Sequence, residues 1–193
     1  MNLHDICTFT ETKIDDLVST GALEVEGYII NRQDRTSCGG GVATYIRSTL
    51  RPMPLADLQI VAARSGLEVT LTTIQATNDQ KVVIVGVYRP PNAKAAWFTE
   101  FNEMILQLLN LGLIIIMGDI NADLLKPQAQ PGKTLRSSLK IGQHQGCFDC
   151  SYAHSGKFLL LPRHYRSRYS TRMYRLQSLR SSSIGPFSSG SYC

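Results

Sequence analysis

Charge is scarce in this chain of 193 residues, where 18% are charged against 43% apolar. That balance excludes a disordered polyelectrolyte, because enough apolar side chain is present to build a core of ordinary size. Long apolar runs are missing as well. The longest uninterrupted one is residues 113–117 (LIIIM), far short of the roughly 20 residues a membrane-crossing helix needs, so no membrane partner is expected. Residues 1–10 lack the basic and then apolar pattern of a secretory leader. The five cysteines, at 7, 38, 147, 150 and 193, are odd in number and scattered. They make a poor disulfide framework and point to a reducing, intracellular compartment.

Acidic residues are absent from one end altogether. All 15 lie at or before Asp149, beside 13 of the 20 basic ones, whereas residues 151–193 hold seven basic residues, 11 serines and no acidic one. That tail has one short apolar run, at 158–161, and no sustained period of 2 or 3.6, so no fold is assigned to it. The chain therefore divides into a folded part, residues 1–140, and a basic Ser/Arg-rich part, residues 141–193.

The first part reads as alternating strands and helices. Residues 5–10 (DICTFT) form a short run that ends on Glu11. Residues 27–31 and 42–46 are rich in β-branched and aromatic side chains and are separated by the turn Cys38, Gly39, Gly40, Gly41. Residues 68–74 (EVTLTTI) alternate, and residues 82–88 (VVIVGVY) are nearly continuous, as expected of a strand covered on both faces. Trp97, Phe98, Phe101, Met104, Ile105 and Leu108 then recur at three and four, predicting an amphipathic helix over 94–110 whose aromatics are core. Residues 113–117 give another buried strand, terminating at Gly118, Asp119, Ile120, Asn121.

Glu11, Tyr88, Arg89, Asp119, Asn121 and Asp123 each adjoin the end of such a strand, which is where sites are built in sheets covered by helices. Taken singly, each reads most simply as a solvated turn residue. Together they suit one chemistry. A hard cation such as Mg²⁺ takes oxygen ligands from one or two carboxylates, which Glu11 could supply. Phosphodiester hydrolysis further needs a base for water and donors for the charge growing on phosphate. Asp119 and Asn121 could divide those tasks, with Tyr88 and Arg89 donating to phosphate oxygens.

At four pieces, residues 5–14 (DICTFTETKI), 39–46 (GGGVATYI), 85–91 (VGVYRPP) and 116–125 (IMGDINADLL), the sequence resembles the endonuclease/exonuclease/phosphatase superfamily, and within it the endonuclease domain of non-LTR retrotransposons. The resemblance implies an α+β fold, a four-layer α/β/β/α sandwich with two packed mixed β-sheets, here truncated at both ends. It also implies Mg²⁺- or Mn²⁺-dependent nicking of DNA, a nuclear setting, a monomer, and no small-molecule cofactor. Position by position, Glu11 matches the metal-binding glutamate, with Asp119 beside it, and Tyr88 the phosphate-contacting tyrosine. Asp119 matches the base that activates water, Asn121 the amide that orients phosphate, and Arg89 a substrate contact.

Three elements of that family are missing: an asparagine on a strand ahead of Glu11, a downstream aspartate, and a Ser-Asp-His triplet. Reverse-translated and read from the second codon base, residues 184–187 (IGPF) can yield Ser-Asp-His, and residues 163–169 an Asp-Ile-Ile-Asp-Leu-Val strand. The tail is thus expected to be disordered or derived from a frameshift between Lys140 and Gly146. Its loss of terminal strands should expose apolar faces such as residues 82–87 and leave sheet edges unpaired. The spacing of His144, Cys147, Cys150 and His154 resembles a zinc knuckle, but a single CxxC is a weak signal. The contrasting reading is a catalytically inactive remnant, at most a basic nucleic-acid-binding protein with the Arg/Tyr interleaving of Arg163, Tyr165, Arg168, Tyr169, Arg172, Tyr174 and Arg175.

Overall fold

A computed structural model describes residues 4–75, 80–122, 149–154 and 157–161, the last two spans as backbone. Asp123 and the rest of the tail, including the zinc-like and Arg/Tyr patterns, lie outside the described side chains.

Two sheets pack face to face. The smaller orders β1 (Ile6–Thr10), β3 (Val42–Arg47) and β2 (Tyr28–Gln33), antiparallel throughout. The larger runs β4 (Met53–Pro54), β5 (Glu68–Gln75), β6 (Lys81–Tyr88), β7 (Leu113–Asp119), β9 (Lys157–Leu161) and β8 (Asp149–His154). It is mixed through the parallel pair β6 and β7. Because these two strands run the same way, their connection must cross over, and the helix α2 (Ala96–Leu109) makes that crossover.

Period decides which face each residue covers. On β5 and β6, Val69, Leu71, Val83, Val85 and Val87 point to the helices and join Trp97, Phe98, Phe101, Met104, Ile105 and Leu108 of α2 in one core. Each of those helix side chains is buried and contributes roughly 2 kcal/mol of gross transfer free energy. Trp97 stacks on Phe101 at 4.8 Å. Residues one step out of phase, Val82 and Ile84 with Ile46 and Met117, form the second core between the sheets. Toward the far end this inter-sheet core turns polar: Thr8 bonds Thr44 at 3.1 Å and Thr44 bonds Thr70 at 2.6 Å. Gly86 leaves room for that hydroxyl chain, since a Cβ there would lie 2.3 Å from Thr44 Oγ1 and 2.4 Å from Thr70 Oγ1.

Several expectations need correcting. Residues 82–87 are not uncovered, and β7 does not end as a bare edge. Val82 to Val85 and Val87 are at most 4% exposed, and β9 pairs along β7 with β8 outside it. Two strands therefore lie beyond residue 141, where the aperiodic sequence assigned none. Strand pairing is made by main-chain bonds, which need no side-chain period, and it leaves β8 as the edge beyond β9. The helix α1 (Ala56–Arg64) was not legible, because Ile60 and Val61 are half exposed and only Ala62 is buried, so no apolar stripe marks it. Among the described residues both helices cover the larger sheet. The smaller one is met on its outer face by the segment leading into the 3₁₀ turn Thr20–Leu23, tied down by Tyr45 Oη donating to Leu23 O at 2.9 Å and by Arg32 Nη2 donating to Val18 O. Cys7 is free and half-buried.

Candidate active site

The polar end of the inter-sheet layer is where the strand ends converge. Glu68, Tyr88 and Asp119 are register partners across β5, β6 and β7, so their side chains emerge in one row on the face that meets the smaller sheet. Glu11 arrives from that smaller sheet, just past the end of β1. Tyr88 Oη donates to Glu11 Oε1 at 2.6 Å, joining one sheet to the other. Tyr88 is 2% exposed, while Glu11 is open to solvent. Burial first, then the hydrogen bond to Glu11, then the charges of Glu11 and Glu68, push the Tyr88 phenol well above its ordinary range, with Arg35 opposing. Tyr88 is therefore a neutral donor at physiological pH, suited to fixing a carboxylate.

Asp119 and Asn121 are brought together, but by a tighter turn than the extended one the spacing suggests. Asp119 Oδ1 accepts from the Asn121 backbone N–H at 2.8 Å, and the Asn121 amide donates to Arg89 O at 2.7 Å. Asn121 has φ +46°, a left-handed conformation that asparagine tolerates better than most residues. Glu11 (φ +56°) and Lys13 (φ +53°) share that region, so three of the four described non-glycine residues with positive φ sit here. Such strain persists only where surroundings impose it. Around Glu11 and Lys13 the partner is the glycine loop, with Thr12 N–H donating to Gly41 O at 3.4 Å and Lys13 N–H to Gly40 O at 2.9 Å, while Asn121 is held by Asp119 and Arg89.

Arg89 corrects the sequence reading. It is 4% exposed and points to the helix side, with Nη2 donating to Ala93 O at 2.7 Å and Nη1 to Ile120 O at 3.5 Å. Its guanidinium lies 4.8 Å from the Phe98 ring centre. Burial lowers its pKa without discharging so strong a base. It is a positioning residue that holds the turn carrying Asp119 and Asn121, and it has no open face for substrate.

Two residues the sequence reading passed over belong to the same rim. Glu68, 8% exposed, accepts from Arg35 Nη1 at 2.9 Å and from Gly41 N–H at 2.7 Å. The alternation of residues 68–74 carried the signal, since it phases Glu68 with Thr70 and Thr72, opposite Val69 and Leu71. Nothing in the sequence marked Arg35. Among the described residues no three His, Cys, Asp or Glu side chains are grouped closely enough to hold a metal ion.

No family model matches this sequence, and no curated protein does. Solved structures do. The chain is similar to the endonuclease domain of TRAS1, a telomere-specific non-LTR retrotransposon, at 14% identity and a TM-score of 0.53, covering 72% of this chain and 67% of that one. It is also similar to ANGEL2, a 2′,3′-cyclic phosphatase, at 11% identity and a TM-score of 0.51, covering 82% and 69%. At such identities the likeness establishes the fold alone, one shared with the TRAS1 endonuclease domain and with ANGEL2, and the chemistry has to be argued from the site.

Proposed function

We propose that a chain of this fold, with this rim, is a divalent-cation-dependent phosphodiesterase that nicks DNA. The observation that carries the reading is the 2.6 Å bond from Tyr88 to Glu11, in the same register row as Asp119. The bond fixes the exposed Glu11 carboxylate at Tyr88, the register neighbour of the turn-held Asp119, so both carboxylates belong to the same end of the inter-sheet layer. The donors that meet there are oxygens, the kind a hard cation takes, and such a cation needs only one or two protein carboxylates because water and substrate phosphate complete its shell. Glu11 would hold Mg²⁺ or Mn²⁺ with Asp119 nearby, and the bound ion would neutralise charge on the phosphate.

The chain's own residues do the rest. Asn121 N–H fixes the rotation of the Asp119 carboxylate, which accepts the proton of the attacking water as a general base. The Asn121 side-chain amide carries two N–H groups; Arg89 O takes one, and the other is a donor for a phosphate oxygen. Arg89 keeps the turn in place, and Tyr88 keeps Glu11 in place.

Supercoiled plasmid incubated with Mg²⁺ should become nicked circles. EDTA should abolish the reaction, and Asp119→Ala should slow it by at least about 100-fold, the usual scale for losing a positioned proton acceptor. Nicking that survives Asp119→Ala would overturn the assignment. Protein that retards the plasmid without nicking it would favour the inactive, basic nucleic-acid-binding reading instead.

A further inference from the structure

We propose that Arg35, held in place by Glu68, contacts a backbone phosphate next to the one cleaved, so that the rim beside Tyr88 is a subsite for a nucleic-acid phosphodiester chain. This rests on the phosphodiesterase reading but concerns binding only. Glu68 is a buried carboxylate whose two oxygens are both engaged, Oε1 by Arg35 Nη1 and Oε2 by Gly41 N–H. Arg35 Nε in turn donates to Gly39 O at 2.8 Å. Two bonds at two edges fix the plane of the guanidinium, which carries five N–H donors in a rigid fork. The Arg35 side chain is nonetheless 41% exposed. A cation locked on its inner edges and open on its outer one loses little rotamer freedom on meeting an anion, and the planar fork matches phosphate geometry.

The glycine loop makes this arrangement possible. At Gly40 (φ +79°) a Cβ would fall between 2.1 and 2.7 Å from three guanidinium atoms of Arg35, so any side chain there would push the arginine off the loop. The register row locates the subsite. Glu68, Tyr88 and Asp119 lie on adjacent strands, about 4.8 Å apart per strand, which puts the Arg35 anchor roughly 10 Å from Asp119. That is too far to share the phosphate Asp119 serves, and within reach of a neighbouring one. Lys13, pinned to Gly40 on the same rim, adds a second positive charge.

The test measures DNA binding without turnover. Asp119→Ala protein is titrated against a short fluorescent duplex by anisotropy, from about 50 to about 200 mM NaCl, because each phosphate neutralised contributes about 0.9 to the slope of log K against log salt. Arg35→Gln should reduce that slope by about 0.9, so that the affinity advantage of the parent shrinks about 3.5-fold over that salt range. Arg35→Lys, which keeps the charge, should restore the slope. Lys81→Gln, at the opposite end of β6, should leave it unchanged. Because Arg35→Gln strands a buried carboxylate, the double variant Arg35→Gln/Glu68→Gln is measured too and should show the same reduced slope. An unaltered slope in both variants would overturn the proposal, as would an Asp119→Ala protein with no affinity for DNA. Loss of nicking in the parent with the slope change intact would instead refute only the hydrolytic reading.

Discussion

Replacing Gly86 by alanine tests the inter-sheet packing most directly. Glycine in the middle of a strand ordinarily costs about 0.5 to 1 kcal/mol relative to alanine, so on backbone grounds Gly86→Ala should stabilise the protein. The structure reverses the sign. The new Cβ would stand 2.3 Å from Thr44 Oγ1, 2.4 Å from Thr70 Oγ1 and 3.1 Å from Thr8 Cγ2. Thr44 belongs to one sheet and Thr70 to the other, each 1% exposed, so neither hydroxyl can rotate into solvent and the methyl acts as a wedge between sheets. Overpacking of this kind costs about 1 to 3 kcal/mol, and breaking the Thr44 to Thr70 bond leaves buried hydroxyls unpaired at about 1 to 3 kcal/mol more. The expected net loss is about 3 kcal/mol, read as a lower urea midpoint at unchanged m-value. Gly86→Ala combined with Thr44→Ala and Thr70→Ala removes the atoms struck and should be more stable than the single variant. Gly86→Ala protein as stable as the parent would refute the reasoning.

Arg89→Met should destabilise the protein by about 1 to 3 kcal/mol, since it strands the buried Ile120 carbonyl and removes the partner of the half-buried Ala93 carbonyl. A change confined to KM, with the urea midpoint unmoved, would mean instead that Arg89 touches substrate. At Asn121, whose φ is +46°, both Gly and Ala lose the amide bond to Arg89 O. Ala also meets the left-handed penalty, so denaturation should rank the Gly variant above the Ala variant by about 1 kcal/mol. The Tyr88 phenol, raised above its ordinary value of 10.0 by burial and by Glu11, binds its proton more tightly in the folded state. Its contribution to stability is thus fully present below pH 10 and is lost as pH rises further. Urea midpoints measured upward from about pH 10 should fall more steeply for the parent than for Tyr88→Phe, and parallel curves would contradict that linkage.

Most of the elements were already legible in the sequence, because burial has to match period. Strict alternation over residues 68–74, a continuous apolar run over 82–88 and the three-and-four spacing from Trp97 to Leu108 each admit one covered geometry. The strand ends carrying Glu11, Tyr88 and Asp119 followed from the same patterns. Tertiary structure alone decided what lay across strands. Arg89 has the composition of a phosphate contact, yet packing of α2 against β6 turned it inward, a choice made by Phe98 and the Ala93 carbonyl and not by its sequence neighbours. Glu68 and Arg35 are 33 residues apart, and only the docking of the β2 to β3 loop onto the head of β5 makes them a pair. The strands β8 and β9 were invisible for the complementary reason. β9 pairs with β7 and β8 pairs with β9, and main-chain ladder bonds are the same for every side chain and leave no period to read.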